Sequence, residues 1–281
     1  MPELPEVETI RRHLAPRVEG RVLETVEVLD GRWCAPVAAE SLRDAVQGRR
    51  VERLGRRGKY LVATLEDEVH LIMHLRMTGT ILYDPEPAAT AHVRVRIVLG
   101  DGHRLTWVDP RRFGTGQLAL GDAALREFFA MRLGVEPLTP EFTLAHLRAQ
   151  ARGRRAPVKA FLLDQRRIAG VGNIYADEAL FRAGIHPLRP AGALTGSQVA
   201  RLRDAVDAAL AAGIAAKGAT IDDFRHPDGV QGSFQDQFLV HLRAGRPCVR
   251  CGTIVVKMIA AGRGTYVCER CQPRPRTRRR H

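Results

Sequence analysis

Four cysteines near the C-terminus constrain this chain more than any other feature. Cys248 and Cys251 form one Cys-x2-Cys knuckle, Cys268 and Cys271 form a second, and sixteen residues separate the two. Two such knuckles bring four thiolates to one tetrahedral ion. Four protein ligands leave no open position for a substrate, so the pattern predicts one structural Zn2+. A redox pair or a chance spacing does not account for the doubled motif. Between the knuckles, TIVVK and TYV read as two short strands joined by MIAAGRG, which puts Arg263 at the tip of a zinc-stapled hairpin. Such a hairpin suits a DNA groove, and it suits a protein-interaction module equally well. Cys34 is left over and reads as a buried or idle thiol.

The rest of the chain changes periodicity once. At the start, Val7, Ile10 and Leu14 fall on one helical face, with Glu3 and Glu6 in the first turns. From Arg21 to Leu120 short β-rich runs recur, among them RVLETVEVL, KYLVATL, VHLIMHL, VRVRIVL and HRLTWV, with turn signals such as Asp101-Gly102 between them. This is the pattern of an antiparallel sandwich or barrel. From about Asp122 the spacing turns helical, and helices are expected over 122–133, 141–150, 156–168, 173–183 and 196–216. The last has Val199, Leu202, Val206, Leu210 and Ile214 on its core face. Residues 218–236 carry Gly, Pro and Asp with weak periodicity and read as a long loop. The final RPRTRRRH is too basic to pack and reads as disordered.

Charge narrows the partner. Lys and Arg number 44 against 31 Asp and Glu, a net charge of +13 among 281 residues. That excess favours a polyanion and fast electrostatic association, although a basic solvated surface would carry it too. No run of about 18 apolar residues predicts a membrane span. The acidic, amphipathic N-terminus lacks the basic-then-apolar order of a signal peptide. The expected location is therefore the cytoplasm, where a reducing medium favours metal ligation over disulfides.

The sequence begins Met-Pro-Glu. A small second residue lets the initiator Met be removed, leaving Pro2 with a free secondary amine. An α-amino group has a pKa of about 7.7–8.0 against about 10.4 for a lysine, so an appreciable fraction is neutral near pH 7. A neutral amine can attack an electrophilic sugar carbon and become an imine. Glu3 or Glu6 could supply the proton transfers that sugar-ring opening needs. Taken alone, the same residues are an ordinary helix start, with proline at the first position and acid in the first turn.

The combination of motifs decides between these readings. MPELPEVETIRR at the start, RRGKYL at 56–61, HLRMTG at 74–79, DPRRFG at 109–114, GVGNIYADEALF at 170–181 and the four-cysteine end occur in that order. Together they resemble the formamidopyrimidine-DNA glycosylase family over the chain up to Cys271. The resemblance implies a multidomain α+β fold: an N-terminal β-sandwich with its N-terminal helix over 1–133, a helix–two-turn–helix domain with a lesion-capping loop over 134–236, and a zinc finger over 237–272. A basic tail, 273–281, extends beyond the usual family end. It also implies a base-excision repair enzyme, a glycosylase and abasic-site lyase. Such an enzyme removes oxidised purines (8-oxoguanine and formamidopyrimidines) from double-stranded DNA as a monomer and cleaves by successive β- and δ-elimination.

Residue roles follow from the same resemblance. Pro2 resembles the family nucleophile, Glu3 the acid/base group at the sugar ring oxygen, and Glu6 a supporting carboxylate. Lys59 matches the lysine assigned to β-elimination, and Arg263 matches the finger arginine that binds phosphate and serves δ-elimination. Met77, Arg111 and Phe113 match the residues that fill the gap left by an extruded nucleotide. Extrusion costs a few kcal/mol, and apolar wedges offset part of it. Arg112 adjoins Arg111, so sequence leaves their roles exchangeable. Asn173, opening a helix after Gly170-Val171-Gly172, matches a phosphate contact. His92 and Arg154 match further backbone contacts, Lys159 a position near the lesion pocket, and Thr220 the flexible cap. Two rivals remain: the endonuclease VIII branch, which prefers oxidised pyrimidines, and a zinc-finger lesion sensor that binds without cutting.

Overall fold

The computed structural model describes residues 1–84, 91–220 and 232–275. They form two compact units, one of residues 1–132 with 216–235, the other of 133–215 with the chain from 236 onward.

The first unit opens with helix α1 (Leu4–Val18), whose buried face carries Leu4, Val7, Ile10 and Leu14. Then come β1 (Leu23–Val28), α2 (Ala39–Val46), β2 (Val51–Arg57), β3 (Tyr60–Leu65), β4 (Val69–His74), β5 (Thr80–Tyr83), β6 (Val93–Leu99), β7 (Arg104–Val108), β8 (Thr115–Leu120) and α3 (Asp122–Ala130). The strands make two four-stranded antiparallel sheets in the orders β1-β6-β7-β5 and β2-β3-β4-β8. This is a sandwich, not a closed barrel. One core joins the sheets and α1, with Leu54, Leu61 and Leu71 from one sheet, Val26, Val95 and Trp107 from the other, and Ile10 and Leu14 from the helix. The Cys34 thiol lies buried in that core, where burial raises its pKa; an idle thiol fits.

One detail departs from the sequence reading. Helix α2 lies in the stretch read as β; its eight residues bury only Leu42 and Val46, too few to announce a helical period. The described ends of the segment 216–235 pack with the sandwich unit. These ends are tied together by Ser233 N–H to the Ala216 carbonyl (2.9 Å) and Phe234 N–H to the Gly218 carbonyl (3.0 Å). The lesion-capping expectation for 218–236 falls mostly on 221–231, and the disordered-tail expectation mostly on 276–281; both stretches lie outside the described residues.

The second unit contains α4 (Leu144–Ala151), α5 (Val158–Leu163), α6 (Asn173–Ala183), α7 (Gly196–Ala215) and the hairpin β9 (Val256–Ala260)–β10 (Arg263–Val267). Helix α4 starts later than its pattern suggested because Thr143 caps it, its Oγ1 accepting from the His146 N–H. Helix α6 is buried almost throughout, and its acids Asp177 and Glu178 are both fully inaccessible. Charged groups so deep require partners. Glu178 Oε1 accepts from the N–H groups of Leu239, Val240 and His241, each at 3.0 Å, while Arg182 donates to Oε2 at 2.6 Å. The hairpin is tighter than MIAAGRG suggested. Met258 to Ala260 continue the strand, and only Ala261 and Gly262 turn, both at positive φ (53° and 67°), as a two-residue type I′ loop requires. Among the described residues, no helix is long and apolar enough to cross a membrane.

Candidate active site and metal centre

The chain start is held by reciprocal capping. Glu3 is the N-cap of α1, and its N–H donates to Glu6 Oε2 at 2.8 Å. The other oxygen of Glu6 accepts from the Ala219 N–H, also at 2.8 Å. Pro2, Glu3 and Glu6 are all buried. A single carboxylate therefore joins the first turn of α1 to the root of the 218–236 segment. Gly218 is required there: its φ is +78°, and a Cβ on it would stand 2.8 Å from Glu6 Oε1. Thr220 finishes the root, its N–H donating to Gln235 Oε1 (2.9 Å) and its Oγ1 accepting from the Gly232 N–H (2.8 Å).

Lys59 sits in the two-residue turn between β2 and β3, 4% exposed. Arg56, which the sequence reading did not single out, ties that turn to α1. Its Nη1 donates to the Gly58 carbonyl and its Nε to Glu8 Oε2, each at 3.0 Å. Burial works to raise the Glu8 pKa, but hydrogen bonds from Arg11, Arg12 and Arg56 overcome it and hold the carboxyl at about 2. His74 pairs across the sheet with Tyr60 and packs edge-on to its ring at 4.5 Å. Burial, reinforced by the positive charges of Arg76 and Lys59, holds the imidazole at about 3. Its Nδ1 accepts from the Arg76 N–H at 2.9 Å, so the ring is neutral with its proton on Nε2.

The HLRMTG and DPRRFG motifs make two turns at the sheet ends. Met77 is half-buried; Arg111 and Phe113 are exposed, and the Arg111 guanidinium lies 4.9 Å over the Phe113 ring. The structure separates the two arginines. Arg112 Nε donates to Asp30 Oδ2 at 2.6 Å, and Asp30 is 8% exposed, so Arg112 is occupied in a partly buried ion pair. Arg111 presents its side chain on the outside. His92 is exposed, and its carbonyl accepts from the Asp109 N–H at 3.1 Å.

In the second unit, Asn173 opens α6 and its Nδ2 donates to the Gly264 carbonyl at 3.1 Å. Arg263, next to Gly264, is exposed. Lys159 departs from the sequence reading. It is wholly buried, its Nζ donating to Asp177 Oδ1 at 2.6 Å, Thr265 Oγ1 at 2.7 Å and the Gly264 carbonyl at 3.3 Å. An ammonium so enclosed offers nothing to a phosphate or base; it anchors the hairpin to α6. Arg154 is half-buried, its Nε held by the Gln150 carbonyl at 2.6 Å.

The four cysteines converge as their spacing predicts. The Sγ atoms of Cys248, Cys251, Cys268 and Cys271 all lie within 4.8 Å of one another. Cys248 and Cys271 are 3.9 Å apart, and Cys251 and Cys268 3.5 Å. A tetrahedron with bonds of about 2.3 Å has edges of about 3.8 Å, so the set fits one zinc-sized ion with no open position. Cys248 and Cys268 also pack with Phe181, Val240, Val255 and Tyr266, which joins the metal centre to the unit's apolar core.

Comparison with known proteins covers every element of this arrangement. Residues 1–116 match the formamidopyrimidine-DNA glycosylase N-terminal domain, 133–225 the formamidopyrimidine-DNA glycosylase H2TH domain, and 245–274 the zinc finger found in FPG and IleRS. A formamidopyrimidine-DNA glycosylase from Chloroflexus aggregans is 46% identical, with 97% of this chain and 98% of that protein covered. The crystal structure of the MutM (Fpg) protein from Thermus thermophilus superposes with a TM-score of 0.88 at 42% identity, covering 98% of this chain and all of that one. Lactococcus lactis Fpg bound to abasic-site DNA gives 0.90 at 34% identity, covering 97% of this chain and 100% of that one.

Proposed function

The chain belongs to the formamidopyrimidine-DNA glycosylase family, and on that premise we propose that it excises oxidised purines from duplex DNA through a Schiff base on Pro2. The observation that carries the reading is the enclosed chain start, where buried Pro2 adjoins Glu3 and the Glu6 carboxylate holds the Glu3 N–H. Once Met1 is removed, the Pro2 nitrogen attacks C1′ of the everted nucleotide. The base leaves with the electrons of its own bond to C1′ and takes up a proton, and the proline nitrogen loses its proton. As Glu3 protonates the ring oxygen O4′, the C1′–O4′ bond breaks and the nitrogen lone pair completes an iminium. The iminium left on C1′ acidifies C2′. Loss of a C2′ proton expels the 3′ phosphate, and a second elimination expels the 5′ phosphate, leaving a one-nucleotide gap. Lys59 serves the first elimination, and Arg263 grips phosphate for the second. DNA bound to the related Lactococcus lactis protein supports a duplex or abasic-site partner.

Met77, Arg111 and Phe113 occupy the space that the lesion vacates, with Arg111 meeting the partner base. Asn173 at the start of α6 and the exposed His92 take phosphates, and Thr220 lies close to the lesion. Lys159 holds the hairpin without touching DNA. The enzyme acts as a single chain with one structural zinc on Cys248, Cys251, Cys268 and Cys271. The test is borohydride trapping on duplexes carrying 8-oxoguanine opposite cytosine, followed by identification of the cross-linked residue. A covalent adduct on Pro2 is expected, and Pro2→Gly abolishes it. An adduct on any lysine, or full trapping by Pro2→Gly, overturns the mechanism.

A further inference from the structure

We propose that Asp109 and Thr78 are positioning residues that bind the Met77 turn and the Arg111–Phe113 turn into one rigid reading head. The proposal rests on the reading above, that these side chains enter the duplex. Asp109 is 1% exposed and is not among the residues expected to touch DNA. Its Oδ1 accepts from the Thr78 hydroxyl, 31 positions away, and from the Arg111 N–H at 3.2 Å. Its Oδ2 accepts from the Gly114 N–H at 2.7 Å. One carboxylate thus grips the residue after Met77 and both flanks of the Arg111–Phe113 pair. The Thr78 Oγ1 also lies 3.4 Å from the Arg111 N–H, at the edge of hydrogen-bond range.

Each turn is closed on itself as well. The Gly79 N–H donates to the Leu75 carbonyl at 3.0 Å, and a Cβ on Gly79 would stand 2.6 Å from that oxygen. The Arg112 N–H reaches the Asp109 carbonyl at 3.3 Å, while Asp30 holds the Arg112 guanidinium. Among the described residues, the hydrogen bond that joins the two turns through a charged group is Asp109–Thr78, with the carboxylate buried and the hydroxyl partly so. An ionised acceptor makes it stronger than a neutral pair. A wedge residue fixed relative to its neighbour enters the stack without first ordering itself, so the cost of orientation falls before DNA binds. The same fixation sets where Arg111 meets the orphaned base, which makes discrimination between partner bases depend on a hydroxyl that touches no DNA.

Thr78→Val keeps shape and removes the hydroxyl; Thr78→Ser keeps the hydroxyl. Single-turnover excision is measured on duplexes with 8-oxoguanine opposite cytosine and opposite adenine, alongside strand cleavage of an abasic single strand, which has no stack to open. Thr78→Val is expected to slow duplex excision about tenfold more than single-strand cleavage, the worth of one hydrogen bond to a charged acceptor, and to narrow the cytosine-to-adenine ratio. Thr78→Ser is expected to restore both. Equal losses on the two substrates, or an unchanged ratio, overturn the proposal. Met77→Ala and Phe113→Ala are run beside them. If those leave duplex excision intact, the wedge reading fails and the proposal with it; if they slow it and Thr78→Val does not, the coupling alone is wrong. Melting curves select variants that are folded, and Asp109→Asn, which keeps volume but loses charge, provides a second route to the same two readouts.

Discussion

The Glu6 carboxylate and the Ala219 N–H are 213 positions apart in the chain and 2.8 Å apart in space. Because the same carboxylate also caps the Glu3 N–H, the start of α1 and the root of the segment after α7 share one acceptor. Movement of either is felt by the other through a single side chain.

Gly218→Ala tests this connection. The new methyl would meet Glu6 at 2.8 Å in a backbone region at φ +78° that L-residues avoid. Such a position costs about 1–3 kcal/mol. A lower melting temperature and slower base excision are expected together, and a variant with native excision would show that the Glu6–Ala219 contact is dispensable.

Glu8→Gln removes a carboxylate held at about 2 by Arg11, Arg12 and Arg56 against the cost of burial. The folded value lies below the unfolded one, so its stabilisation is complete above the usual carboxylate range and is lost as pH falls from there toward 2. In urea titrations the wild type is expected to exceed Glu8→Gln at pH 7, with the gap closing between pH 4.5 and the lowest accessible pH. A gap independent of pH would mean that packing, not charge, explains the loss.

His74 remains neutral well below the usual imidazole range. Its pKa of about 3 reflects burial first and then the charges of Arg76 and Lys59. Nitrogen-edge NMR at pH 5.5 is expected to show the Nε2–H tautomer. Lys59→Met should raise the His74 pKa, since one opposing charge is gone. An unchanged value would separate His74 from Lys59 electrostatically. The depressed value also means that His74 favours the fold above its unfolded pKa, and that this contribution fades as pH falls toward 3.

Lys159→Met removes the ammonium from Oδ1 of buried Asp177 and leaves His241 at Oδ2. Breaking a buried pair from one side costs about 3–5 kcal/mol. Chemical denaturation should show a loss of that size, partly recovered by Lys159→Met with Asp177→Asn. A small effect would mean that the ammonium is dispensable to the hairpin.

Metal removal offers the clearest loss of structure. Cys248 and Cys268 belong to the core that includes Phe181 and Tyr266, so chelation should unpack more than the knuckles. One equivalent of zinc released on thiol modification, with a fall in melting temperature and in DNA affinity, is expected. More than one equivalent would contradict the single closed site.

Much of this was legible in the chain because it is written locally. The Cys-x2-Cys pairs fix a metal by spacing alone, and Val7, Ile10 and Leu14 fix a helix face. The hairpin strands were found but joined too loosely, because Ala261-Gly262 is not an Asn-Gly signal and Met258 and Ile259 look like linker rather than strand. Asp30, Asp109 and Glu8 were missed for a different reason. Asp30 takes Arg112 from 82 positions away, and Glu8 takes Arg56 from 48. No motif of short range encodes such meetings. Lys159, expected near the lesion pocket, is wholly buried against Asp177 and Thr265, partners 18 and 106 positions away that no local pattern announces.

Glu178 grips three successive peptide N–H groups, those of Leu239, Val240 and His241, and no side chain of that stretch. A grip on the main chain is indifferent to what hangs from it. Leu239, the half-buried member, should therefore accept many replacements in a saturation library, whereas at Glu178 even glutamine, with one acceptor oxygen in place of two, should be depleted. Position 239 of the strap that leads into the finger is thus free to drift over evolutionary time, while its anchor Glu178 and its core neighbour Val240 are not.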